Sequence, residues 1–143
     1  MKTTEAPLAC AFGRALLARQ AACPLATMAL VGEAERPHCA SPVARTNCET
    51  LLALLRERAT FALKLPPPAS PLPHAAQLRV QCGGLRGLAE VAGDEGAGPS
   101  DVHALVTGLQ AAFGTLADIP FSPVVAAMAR WEGRPRPGGR KPP

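Results

Sequence analysis

Apolar positions recur at helical spacing in several stretches of the chain and alternate with polar ones in two others. Leu8, Phe12 and Leu16 stand four apart and predict a helix over Thr4 to Ala22, with Thr4 as cap, Pro7 in the first turn and Pro24 as stop. Thr46-Asn47-Cys48-Glu49 has the form of a capping box, and Leu52, Leu55 and Ala59 continue a helix to about Thr60. Phe61 to Leu65 and Gln77 to Gln81 alternate with period two and predict an antiparallel hairpin across the Pro-rich connection. Cys82-Gly83-Gly84 reads as a turn, Leu85 to Ala92 as a short helix, and Gly93 to Gly98 as a flexible loop. The clearest pattern is Val102, Leu105, Val106, Leu109, Ala112, Phe113 and Leu116, capped by Ser100 and stopped at Gly114. A last helix opens with Ser122-Pro123, buries Val124, Met128 and Trp131, and ends at Gly133.

Between the first two helices, residues 23 to 45 follow no period. Met28 to Val31 fits a short strand or one helical turn, and Arg36-Pro37 and Ser41-Pro42 require extended geometry before each proline. Loops of this length are usually functional, disordered or held by something. The expected fold is therefore α+β and helix-dominant: about four helices, a two-stranded hairpin, and a long Cys- and Pro-containing loop. Residues 1–133 are expected to form one globular domain, and 134–143 a basic, disordered Pro/Gly tail.

Composition agrees with a helical core. The chain of 143 residues is 48% hydrophobic but only 3% aromatic, so Leu, Val and Ala must fill the interior. The net charge of +4 is carried by Arg134, Arg136, Arg140 and Lys141, which leaves the body neutral and makes nucleic acid an unexpected partner. No stretch is apolar enough to span a membrane. Ala21-Ala22-Cys23 resembles a lipoprotein cleavage site, but Glu5, Arg14 and Arg19 interrupt the leader such a site requires. The expected setting is cytoplasmic and the expected partner another protein.

Five cysteines, an odd number, argue against a fully paired disulfide framework and toward metal ligands, redox centres or buried thiols. Cys23, Cys39, Cys48 and Cys82 each stand at a predicted turn or element end, where backbones can converge on one centre. Cys48 would occupy a first helical turn, where the dipole favours thiolate, and Gly83-Gly84 would offer amides to the sulfur of Cys82. These four are the candidate ligands of an iron–sulfur cluster or zinc. The intervals of 15, 8 and 33 residues contain no CxxC pair. Cys10 points away from the predicted first-helix face and is set apart from the group. The expected function is a small metal- or iron–sulfur-binding accessory protein. The rival is an interaction or regulatory subunit whose cysteines are core residues. A reversible Cys39–Cys48 disulfide would use the same atoms.

His38-Cys39-Ala40-Ser41-Pro42-Val43-Ala44-Arg45-Thr46 resembles the H-C-x5-R-[S/T] signature of cysteine-dependent protein phosphatases. The resemblance covers nine residues and implies Cys39 as phosphate-attacking thiolate, Arg45 as phosphate clamp, and a helix N-terminus behind the loop. Pro42 lacks an amide for the phosphate, Glu33 to Pro37 is polar where a buried strand is required, and no aspartate precedes Asp94 to act as general acid. On balance the chain reads as a binding protein, without a set of catalytic residues.

Overall fold

The computed structural model describes residues 8–94 and 100–132, so the basic 134–143 tail and most of the Gly93–Gly98 loop lie outside the described residues. In chain order the elements are β1 (Leu8–Ala9), α1 (Gly13–Leu17), β2 (Ala21–Ala22), β3 (Ala26–Val31), β4 (Ala34–Cys39) and α2 (Pro42–Ala59). Then come α3 (His74–Leu78), a π-helical turn (Arg79–Gly83), α4 (Gly84–Ala92), β5 (Ser100–Asp101), α5 (Val102–Phe113), a 3-10 turn (Leu116–Asp118) and α6 (Phe121–Arg130). The fold is α+β and helix-dominant. Phe12, Leu51, Leu55, Leu85, Leu88, Leu109 and Met128 form a dry core between α1, α2, α4, α5 and α6.

The hairpin exists, but not where alternation placed it. It is β3–β4, paired antiparallel from Ala26↔Cys39 to Val31↔Ala34 and closed by Gly32-Glu33, with Gly32 at φ +68°. A two-residue loop with positive φ at its first position is the turn that matches strand twist. Phe61 to Leu65 instead winds off the end of α2: Leu63 N–H bonds Ala59 O at 2.9 Å and Leu65 N–H bonds Thr60 O at 2.9 Å. Gln77 to Gln81 is helical, running from α3 into the π turn. Its extra residue shifts the helical phase, so six consecutive residues from Val80 to Leu85 are buried. The one polar side chain in that run, Gln81, is satisfied by accepting from Ala15 N–H at 3.0 Å.

The predicted first helix is also corrected. The expected Thr4 cap and Pro7 lie outside the described residues; among the described ones Leu8–Ala9 form β1, which pairs antiparallel with β4 (Leu8↔Cys39, Ala9↔His38), and only Gly13–Leu17 is helical. β4 is thus a central strand carrying Pro37, a residue that central strands normally exclude. In antiparallel pairing a residue's N–H and C=O face the same neighbour. Pro37 C=O accepts from Cys10 N–H at 3.1 Å, so its missing N–H falls opposite the Cys10 carbonyl. That carbonyl accepts from Gly13 N–H instead, at 3.1 Å, and the chain turns into α1. The proline therefore ends β1 at the position where Cys10 stands.

Candidate functional site: a four-thiol corner

Three strand ends and one helix meet at a corner of the sheet. Cys39 is the last residue of β4. Cys10 follows β1 on the neighbouring strand, and residues two apart on a strand share a face, so Cys10 and Cys39 emerge on the same side. Cys23 opens the turn into β3: its carbonyl accepts from Ala26 N–H at 3.1 Å, and Ala26 is the register partner of Cys39. Cys48 enters from α2, which begins three residues after Cys39. One turn earlier on α2, Arg45 Nε donates to Ala9 O at 2.6 Å and ties the helix to β1 beside Cys10.

The start of α2 differs from the capping-box expectation. Ser41 is the cap, its Oγ accepting from Ala44 N–H at 3.1 Å, with Pro42 opening the helix. Thr46 lies inside the helix, where its hydroxyl donates to Pro42 O at 3.0 Å. Cys48 is consequently in the second turn, away from the end where the dipole would favour thiolate. Its thiol is pushed up to about 12, first by burial and then by the charges of Cys10, Cys23 and Cys39. Cys10 is raised as well, by burial above all; Phe12 N–H opposes that shift, Cys23 and Cys39 add to it, and Arg45 lowers it. Cys23 and Cys39 thus act on both Cys10 and Cys48, and Cys10 acts on Cys48. All five cysteines are free thiols, and Cys39 Sγ donates to Ser41 O at 3.2 Å.

Cys23, Cys39 and Cys48 are thus brought together, and Cys10, which the helical reading set apart, joins them. Cys82 does not join them. It is buried in the core on the π turn, its thiol raised to about 11 by burial, with no other cysteine contributing. Gly83 and Gly84 serve packing: a Cβ on Gly83 would lie 2.9 Å from Met128 Cα, and one on Gly84 2.8 Å from Leu55 Cδ1. Two signals in the sequence pointed to Cys10: the Val31-Gly32-Glu33-Ala34 turn, which fixes the hairpin, and Pro37, which fixes where a neighbouring strand must end.

Among the described residues, no group of three or more Cys, His, Asp or Glu side chains stands ready to hold a metal ion. Tetrahedral zinc, with Zn–S of about 2.3 Å, draws its thiolates to within roughly 4 Å of each other. In a [4Fe–4S] cluster each of four thiolates binds a different iron, and in a [2Fe–2S] cluster two thiolates share each iron. His38 is buried behind the strand, with Nδ1 3.0 Å from Arg36 O.

The residues of the phosphatase-like signature are placed differently from a phosphate cradle. Residues 42 to 45 form the first turn of α2, and the Arg45 side chain engages Ala9 O and Glu49, at 2.9 Å for the ion pair. Comparison of the chain with protein-family models, with curated proteins and with solved structures finds no match.

Proposed function

We propose that this is a metal- or iron–sulfur-binding accessory protein whose ligands are Cys10, Cys23, Cys39 and Cys48. The observation that carries the reading is the convergence of four half-buried thiols from three strand ends and a helix on one corner. Cys10 and Cys48 are raised first by burial and then by the neighbouring sulfurs, and a bound cation would offset both costs of forming thiolate there. The occupant is an iron–sulfur cluster or zinc, the two centres that cysteine thiolates hold. Cys82 belongs to the core in this reading.

The test is anaerobic purification followed by absorbance and by iron, sulfide and zinc assays on wild type, Cys10→Ala and Cys82→Ala. Stoichiometric metal is expected in wild type and Cys82→Ala and is expected to be lost in Cys10→Ala. Metal retained in Cys10→Ala, or absent from all three, would sink the assignment.

A second reading, an interaction subunit, draws support from β3. It is an edge strand whose Met28 and Leu30 are 51% and 71% exposed, a surface on which another protein's strand could pair. A complex recovered from extract and lost in Leu30→Lys, with no metal present, would favour it.

A further inference from the structure

Behind the four-thiol corner, between α2 and the π turn, lies a cavity of about 540 Å³ with Cys10 on its wall. That volume is within the roughly 300–1,000 Å³ of small-molecule sites. Leu52, Leu72 and Val80 make much of the lining apolar, while Arg45, Glu49 and Arg56 supply charge. Arg45 and Glu49 neutralise each other in their ion pair. Arg56 has no acidic partner among the described residues. Its Nη2 donates to the carbonyls of Pro67 at 2.7 Å and Ser70 at 2.5 Å, with Pro66 farther at 3.4 Å. Its Nε is buried with no hydrogen-bond partner at all. Buried polar groups are nearly always paired, and an unpaired guanidinium nitrogen beside a cavity marks a place for an acceptor that the protein does not provide.

We infer that this cavity binds a small organic carboxylate, with the carboxylate on Arg56 and an apolar body against Leu52, Leu72 and Val80. A monoanion fits the single uncompensated charge; a free phosphate would bring a second charge toward Glu49 and leave the apolar wall uncovered. Engaging Nε requires the Arg56 side chain to turn against its carbonyl contacts at Pro67 and Ser70, because the atom is closed off from water where it stands. The site stands independently of what the thiols hold, although a ligand there would lie against Cys10.

The experiment is calorimetric titration of the full chain, as purified, with 4-phenylbutyrate and with its uncharged amide. Iron, sulfide and zinc are assayed on the same sample, so that ligand binding and metal content are read separately. Saturable one-to-one binding of the acid is expected, with the amide at least tenfold weaker. Arg56→Lys, which keeps the charge but loses Nε, should weaken the acid at least fivefold. Since Arg56 also holds the Pro66–Ser70 loop, a second variant is needed. Ala53→Phe, at an exposed lining position, should fill the cavity and weaken binding at least tenfold with the circular dichroism spectrum preserved. No saturable binding of the acid, equal binding of acid and amide, or unchanged binding in either folded variant would overturn the inference.

Discussion

At the scale of single residues, the chemistry is set by burial acting on thiols. Cys48 is raised to about 12 and Cys82 to about 11 from an ordinary 9.0. A thiol whose folded pKa lies above its unfolded value holds its proton longer in the folded state. Its contribution to stability is complete below pH 9 and is lost as pH rises toward 12. In the reduced, metal-free chain, melting temperature is therefore expected to fall steadily above about pH 9, and Cys48→Ala should flatten that fall. A slope in Cys48→Ala as steep as in wild type would refute the assignment of cause. The same protonated thiols must lose their protons to bind metal. Metal loading in weak buffer should accordingly release protons and weaken as pH falls, both readable with a pH indicator.

At this scale Cys48 is acted on by Cys23 and Cys39, which sequence reading grouped with it, and by Cys10, which sequence reading set apart. The reason is geometric. A cysteine's company depends on the element carrying it, and the four-residue recurrence of Leu8, Phe12 and Leu16 describes a helix as readily as a strand that turns into one. Phe12 is fully buried either way.

At the scale of elements, α4 and α6 meet backbone to backbone because glycines line the contact. A Cβ on Gly87 would lie 2.8 Å from Val124 Cα, and one on Gly83 2.9 Å from Met128 Cα. Neither backbone can retreat without moving its helix, so Gly87→Ala and Gly83→Ala are each expected to cost about 1–3 kcal/mol in urea unfolding. Gly108, inside α5, meets nothing within 4 Å, and Gly108→Ala should stabilise by about 0.5–1 kcal/mol through helix propensity alone. The three variants differ only in surroundings; equal effects would show that packing is not the cause. Arg79 adds a polar clasp to the same contact, Nη1 donating to Met128 O at 3.0 Å and Ala129 O at 3.1 Å near the end of α6. The Ser41 cap offers a further check: Ser41→Ala should cost about 1 kcal/mol, and Thr46→Ala clearly less.

α5 and α6 were legible in outline from periodicity and stop signals, Gly114 among them at φ +86°. The α2 start, the hairpin and the 77–81 segment were not. Ser41 and Thr46 are both competent caps, and the earlier one is used, with Pro42 in the first helical position. Leu78 and Val80 alternate over too short a run to separate a strand from a helix entering a π turn.

At the scale of the whole molecule, the helical core and the cysteine corner are one construction. Leu55 is fully buried and lies against Gly84, while Leu30 on the hairpin is exposed. Leu55→Ala should lose about 2–5 kcal/mol, and Leu30→Ala no more than about 0.5 kcal/mol. Loading of the four-thiol corner should raise the melting temperature, because a centre bound only by the folded chain stabilises that state. Among the described residues, no helix is long and apolar enough to cross a membrane.

The long cysteine-bearing stretch that resisted any period was the informative part of this chain. Residue order alone determined that helices dominate, that Leu, Val and Ala must build the core, and that Cys23 and Cys39 lie where the chain turns. Those properties follow from composition and from spacing along one segment. Which fourth thiol completes the corner was decided only by tertiary structure: β1 must pair with β4, and Pro37 must end that pairing opposite Cys10, before Cys10 can stand with the others. Cys82, followed by two glycines like a ligand at a turn, was taken into the core because those glycines were needed for helix packing. Strand pairing and close helix contact join residues far apart in sequence, and no local pattern records them.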